Sequence, residues 1–422
     1  MELPGQAPRV TRPTRGHHYA NICFLNFSHP RPKGRGFRLF VIGAGILGLP
    51  IKIGLSGAGF LPGAAMILMS AAFQALTALY VLEALINMKT PKELTGTAQE
   101  VLGRWAGLLV YASLLIYLLG ALTAYVTFGG IAVESLTGLP FWAGALAYWL
   151  AGSYIVWRGV KSVGTSELVM VFAFLGLLAA VVAVLVASPH FKTENLAWAD
   201  WGKTFDVYGI AIFAYAAHFA VASAYKEYTG DVRKFAWGAA LGFLAPGLAY
   251  VAWTAGFMGV IDRHEYHATF IGALSGMERH GLTGLPAPVA VAELGKFGYM
   301  WVLGYIFGFL TTLTSYIAGA FTLGRINEEL GGWRIGKAAN FWILTALPPL
   351  ALALSRLAAF EEILSTAGDI GASLFSGIIP ALMGIAIRQR KGKTIVPGGI
   401  PLAVAVLLFY AVGFAYGLGK IL

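Results

Sequence analysis

Eleven apolar runs follow one another along the chain and leave little sequence between them. They fall at about 38–56, 60–86, 105–133, 139–157, 165–187, 206–226, 235–261, 298–324, 338–355, 363–387 and 398–420. A helix needs ~20 apolar residues to cross the hydrocarbon core of a bilayer. Backbone groups inside lipid must satisfy one another within the segment, so runs of this length predict transmembrane helices. No stretch alternates at period two between regularly spaced turns, which argues against a β-barrel. Of the 422 residues, 58% are apolar and 12% charged, where soluble proteins run about 25% charged. A soluble fold could not bury that much apolar surface and keep a wettable exterior. Soluble enzymes, DNA-binding proteins and disordered chains are thereby excluded, and an all-α polytopic membrane protein remains.

The lysines and arginines orient the spans. With the N-terminus in the cytoplasm, 22 of them fall in cytoplasmic segments and seven in outer segments, and Lys52 lies within a span. An odd number of spans then puts the C-terminus outside, in a protein of the cell membrane. The net charge of +10 follows from these basic loops and needs no nucleic-acid partner. Residues 1–37 read as a basic cytoplasmic tail. The stretch from Met1 to Arg38 lacks the apolar core of a cleavable signal. Cys23 is the single cysteine, which excludes an internal disulfide.

Two runs are not simple spans. The first contains Gly43-Ala44-Gly45-Ile46-Leu47-Gly48-Leu49-Pro50, where glycine and proline weaken the helix. The sixth contains Phe213-Ala214-Tyr215-Ala216-Ala217-His218, with an ionisable residue at mid-span. Interrupted helices five spans apart are the mark of an inverted-repeat transporter. The expected division is a first five-helix repeat over 38–188, a second over 206–388 and an extra C-terminal helix over 398–422. The run from Gly43 also matches a dinucleotide-binding fingerprint, but that motif needs a βαβ unit and an acid about 20 residues on. A second span follows instead, and the next acid is Glu83. In a broken membrane helix, the N–H groups of Ala44, Gly45 and Ile46 would face a carboxylate. Carbonyls near Ile42 and Phe213 would face an ammonium. Together they would hold a zwitterion, with Tyr215 shaping the pocket. The alternative is that the glycines serve only close helix packing.

The stretch GAGILGLPIKIGLSGAGFLPG resembles the first helix of the amino acid/auxin permease family, within the amino acid–polyamine–organocation superfamily. The segment Phe213 to His218, with Tyr225-Lys226-Glu227 after it, is similar to that family's sixth helix. Thr314-Ser315-Tyr316 with Gly319 and Gly324 resembles the eighth helix of its bacterial aromatic amino acid branch. Ala216-Ala217 stands where the family usually has glycine. The resemblance covers roughly 37–388 and implies the leucine-transporter-like fold, five helices plus five in inverted repeat, with helices 1 and 6 broken. It also implies that Thr314 and Ser315, with the Ile42 carbonyl, could bind a coupling ion, and that helices 1 and 10 close an outer gate.

Thr311 shares a helix face with Thr314 and Ser315, although hydroxyls also bond harmlessly to their own helix. His218 is expected either to carry protons or to stay neutral and hydrogen-bonded; buried ionisable groups in membranes are costly. Lys52, about 10 Å outward of Gly45 at 1.5 Å per residue, and Asp369, about 12 Å in from Glu361 by the same rise, are the candidate gate pair. Otherwise Lys52 snorkels to the surface. The other acids near membrane level, Glu83 among them, read as solvated span ends. His264-x-x-His267 has no further clustered ligands, so no metal is expected, and no cofactor. The function expected is secondary active transport of an amino acid by alternating access, as a symport with H⁺ favoured over Na⁺. A channel or a membrane-embedded enzyme is the alternative, though no set of catalytic groups gathers at one depth.

Overall fold

The computed structural model of the chain describes residues 44–158, 174–266, 287–331, 336–355 and 360–421. Among these residues every regular element is helical. A short 3₁₀ turn at Ala44–Leu47 leads into α1 (Leu49–Ser56). There follow α2 (Phe60–Ile86), α3 (Leu94–Leu102), α4 (Arg104–Thr137), α5 (Phe141–Trp157) and α6 (Phe174–Val186). Two 3₁₀ turns precede α7 (Tyr208–Tyr215) and α8 (His218–Glu227). The chain continues with α9 (Val232–Val260), α10 (Ala287–Glu293), α11 (Met300–Gly331), α12 (Lys337–Ser355), α13 (Ile363–Gln389) and α14 (Gly399–Ile421). Among the described residues, eight helices are long and apolar enough to cross a membrane, α7 and α8 counting as one. Helices α1, α5 and α6 occupy the positions of the three remaining apolar runs.

The predicted break in the sixth span is present as an interruption, and the first run shows a 3₁₀ turn followed by a capped start of α1. In the first span, Gly48 caps α1 and Pro50 sits in its first turn, the helix position where a missing N–H costs nothing. Gly57 ends α1 at φ 75° and returns its N–H to the Gly54 carbonyl. In the sixth span, Ala216 and Ala217 leave helical geometry between α7 and α8. Helix α13 is interrupted differently: Ala367–Ile378 winds as a π-helix, a distortion that concentrates at functional sites.

The helices pack as two groups. In one, α2 lies against α9, α7 and α8, and α1 against α9; in the other, α4 lies against α3, α5, α11 and α12. Helix α13 touches both groups, packing on α4, α7, α2 and α3. The span holding α7 and α8 has 94% of its apolar window buried, against 28% for α14, so the broken helix is central and the last helix peripheral. This is the leucine-transporter-like architecture that the sequence predicts.

Candidate functional site

The turn of the first run and the interruption of the sixth span meet at the seam between the groups. The turn Ala44–Leu47 touches α7 on one side and α11 on the other. The Ala44 to Ile46 segment is a wound 3₁₀ turn rather than open backbone, and Ile46 is fully buried. Helix α1 then begins with Gly48 accepting from the Lys52 N–H. A helix start leaves its first N–H groups without intrahelical partners, which here belong to Leu49 and Ile51, since Pro50 has none. Ile42 and Gly43 lie outside the described residues.

At the interruption, three successive carbonyls at the end of α7 receive side chains from three different helices. The Gln74 amide of α2 donates to Ile212 (3.4 Å) and also to the Ser376 hydroxyl of α13 (3.0 Å). The Tyr117 hydroxyl of α4 donates to Phe213 (3.3 Å), and the Tyr250 hydroxyl of α9 to Ala214 (3.1 Å). The Phe213 carbonyl also accepts the Ala216 N–H at 3.3 Å. A carbonyl has two lone pairs, and in this state both at Phe213 are taken by the protein's own donors.

The face of the broken helix also differs from expectation. Tyr215 points into its own group: its ring lies 5.0 Å from Tyr250, and a Cβ on Gly247 of α9 would meet both its hydroxyl and Ala71 of α2 at 3.3 Å. His218 points the same way. Its Nε2 is 2.8 Å from the Thr77 hydroxyl of α2 and its ring 5.3 Å from Phe243 of α9; among the described residues Nδ1 has no partner. The side chains that face the seam are Phe213 and Phe219. Tyr117 of α4 lies tilted against Phe213 and edge-on to Phe375 of α13, both at 5.0 Å, and Phe375 lies 6.0 Å from Phe219. Tyr117, Phe219 and Phe375 were not singled out by the sequence, because an aromatic in an apolar run carries no mark of which side it faces. Gln74 was visible as an amide inside an apolar run.

On α11, Thr311 donates to the Phe307 carbonyl (2.7 Å), Thr312 to Gly308 (2.8 Å) and Thr314 to Thr311 (2.8 Å). These are local bonds within one helix. Ser315 is buried, and its hydroxyl has no hydrogen-bond partner among the described residues.

Asp369 lies in the π-helical stretch of α13. A Cβ on Gly209 of α7 or Gly417 of α14 would strike its carboxyl, so two glycines make room for it. Asp369 pairs with Lys420 of α14 at 3.9 Å. Lys52 acts electrostatically on the same carboxylate. The acid sits at the α7–α14 seam, so the extra helix adds a second cation to the candidate gate. Glu83, expected as a solvated span end, is a correction. It is fully buried, receives Arg388 at 2.6 and 3.2 Å, and accepts the N–H groups of Ile395 (2.6 Å) and Val396 (2.8 Å).

Residues 40–416 match the family model for the tryptophan/tyrosine permease family. The low affinity tryptophan permease of Proteus vulgaris is 26% identical over 393 residues, covering 88% of this chain and 91% of that one. The tyrosine-specific transport system 1 of Haemophilus influenzae is 24% identical over 389 residues, covering 87% and 91%. Among solved structures, MhsT in complex with L-phenylalanine superposes with a TM-score of 0.62 at 16% identity, covering 90% of this chain and 95% of that one. A variant of the Eremococcus coleocola manganese transporter reaches 0.63 at 13% identity, covering 95% and 90%. At such identities the two structures bear on the fold alone.

Proposed function

The chain belongs to the tryptophan/tyrosine permease family, and from that premise we propose that it is a proton-coupled symporter of aromatic amino acids working by alternating access. It is a multi-pass membrane transporter and not an enzyme. The observation that carries the substrate class is the aromatic cluster of Tyr117, Phe213, Phe219 and Phe375, which brings both helix groups and α13 together at the interrupted helix. Aromatic pairs contribute about 0.5–1.5 kcal/mol beyond their area, so a substrate ring inserted among these four would be favoured over an aliphatic one. The relatives named for tryptophan and tyrosine and the neighbour holding phenylalanine support the same class. The N–H groups at the start of α1 would receive the substrate carboxylate. The family shown is that of the tryptophan/tyrosine permeases; a kinship with the amino acid/auxin permeases rests on the helix motifs of the sequence alone.

Protons are favoured over Na⁺ because an ionisable side chain, His218, is buried at the interruption. His218 has one ring nitrogen on Thr77 and one without a partner among the described residues. The orientation with a cytoplasmic N-terminus rests on the distribution of basic residues. Uptake of labelled tryptophan, tyrosine, phenylalanine and leucine into proteoliposomes tests the proposal. An inward pH gradient without Na⁺ should drive uptake of the three aromatics, with leucine at least tenfold slower. Uptake that needs Na⁺ and ignores the pH gradient overturns the coupling; equal rates for leucine overturn the substrate class.

A further inference from the structure

Asp369 is the one charged residue in the π-helical stretch of α13, and its side chain is 5% exposed. A carboxylate buried in a membrane span is costly unless its charge is met. Here the two oxygens are met unequally. Oδ2 lies 3.9 Å from Lys420 Nζ, beyond hydrogen-bond reach. Oδ1 is buried and has no hydrogen-bond partner among the described residues. It faces bare backbone instead: a Cβ on Gly209 of α7 would stand 2.4 Å from it, and one on Gly417 of α14 3.2 Å. Two glycines from two helices thus form a cradle shaped to a carboxyl group, without a side-chain donor of their own. Such a cradle holds a neutral acid as well as it holds an anion.

The charged and titratable groups around the carboxyl come from every helix packed there. They are Lys420 and Tyr416 of α14, Lys52 of α1, Asp206 and Tyr208 at the start of α7, and Ser365 on its own helix. Tyr416 donates to Asp206, and Tyr208 shares a hydrogen bond with Ser373, so both phenols are engaged elsewhere. Helices α4 and α2 meet the stretch further along, with Tyr117 at Gly371 and Gln74 at Ser376. Lys420 is in the last turn of α14 and keeps 33% of its side chain exposed, which gives the pair access to water. Its ammonium also lies 4.5 Å over the Tyr416 ring. It therefore has a second partner if the carboxyl turns neutral.

The neighbours of Asp369 lead to the aromatic cluster. A Cβ on Gly368, the residue before it, would strike the Gly209 carbonyl and meet Phe213 Cβ at 3.1 Å. Phe213 is one turn past Gly209, about 6 Å at 1.5 Å per residue. Phe375 is carried by the same π-helical stretch as Asp369. The charge state of this carboxyl thus bears on two of the four rings.

We propose that Asp369 binds the symported proton. The carboxylate, paired with Lys420, takes H⁺ from water on Oδ1, becomes a neutral acid and releases Lys420 to Tyr416. Helices α13 and α7 then close on the aromatic substrate, and the proton is given up again once the substrate has left. One O–H bond is made and later broken, and nothing else is consumed. This rests on the proton-symport reading above. That reading offers His218 as the ionisable group of the interruption; Asp369 is a second one, and experiment separates them.

Binding of labelled tryptophan to the purified protein between pH 5 and 8.5, with uptake and counterflow in proteoliposomes, tests the assignment. In the parent, affinity should fall about tenfold or more as pH rises. Asp369→Asn imitates the protonated acid. Its affinity should be independent of pH, and a pH gradient should no longer drive accumulation. Counterflow, which needs no net proton movement, should persist. Lys420→Gln removes the cation facing the carboxylate and should move the midpoint of the binding profile upward by about one pH unit; it carries the test if Asp369→Asn does not fold. Accumulation by Asp369→Asn under a pH gradient, or an unmoved midpoint in Lys420→Gln, overturns the assignment and leaves the symport reading standing. Folded Asp369→Asn that loses counterflow as well reports a gate or a structural role and also overturns it. A pH response lost in His218→Gln but kept in Asp369→Asn returns the proton to the sixth span. Parent uptake that ignores the pH gradient removes the symport reading, and this assignment with it.

Discussion

Gln74 holds the interrupted helix to its neighbours, since one amide reaches both the Ile212 carbonyl of α7 and the Ser376 hydroxyl of α13. Replacing it by leucine keeps the bulk and strips the donor, leaving a buried carbonyl at a helix end without its cap. An unsatisfied buried acceptor costs about 1–3 kcal/mol. Gln74→Leu should therefore lower the melting temperature in detergent, while Gln74→Asn should be no better, its amide being one carbon short. Phe375→Ala should raise KM for tryptophan several-fold more than for leucine, because only an aromatic substrate would use the ring; equal changes would detach Phe375 from specificity. At this scale the sequence was only partly readable. His218 stood out as an ionisable group at mid-span, and it is buried. Its direction, toward Thr77 and Phe243 rather than the seam, was not legible. The span around it is apolar on every face, so periodicity has no side to report.

Helix α13 presses against α7 where two glycines face each other. A Cβ on Gly368 would run into the Gly209 carbonyl and meet Phe213 Cβ at 3.1 Å. Backbone cannot yield as a side chain can, so Gly368→Ala should cost about 1–3 kcal/mol as an overpacked contact. Gly419→Ala on α14, where nothing lies within 4 Å, should fall within about 0.5 kcal/mol of the parent. Thermal unfolding in one detergent compares the two, and equal shifts would remove the α13–α7 contact as a determinant of stability. The elements themselves were largely legible, because runs of apolar residues between breakers translate directly into helices. The start of α1 at Gly48-Leu49-Pro50 follows from the sequence in the same way. The π-helical winding of Ala367–Ile378 does not: three glycines weaken the helix there, but weakness alone does not specify a wider winding.

Across the whole molecule, basic residues of the loops also take part in long-range ion pairs. Lys226, Arg325 and Arg388 are expected from the sequence to be cytoplasmic loop charges, yet the first two meet Glu93 and the third meets Glu83. Their number was readable from the sequence; their partners, hundreds of positions away, were not. Exchanging the charges of Lys420 and Asp369 should retain more uptake than Asp369→Lys alone, because the two side chains form an ion pair. Equal losses would remove that pair from the mechanism. Glu83→Ala should be the most damaging of these substitutions, at about 3–5 kcal/mol, since it strands a buried guanidinium; loss of monodisperse protein on gel filtration would register it.

The Glu83–Arg388 clamp spans 305 positions, and a ribosome covers that length in about 15–60 s at ~5–20 residues per second. Throughout that interval α2 is already in the bilayer with an acid whose counter-charge does not yet exist. The helix must wait near the lipid headgroups until that counter-charge is made. Assembly of this protein is then completed from its far end, and a nascent chain halted before Arg388 holds every helix of the first half but not the means to seat the second one.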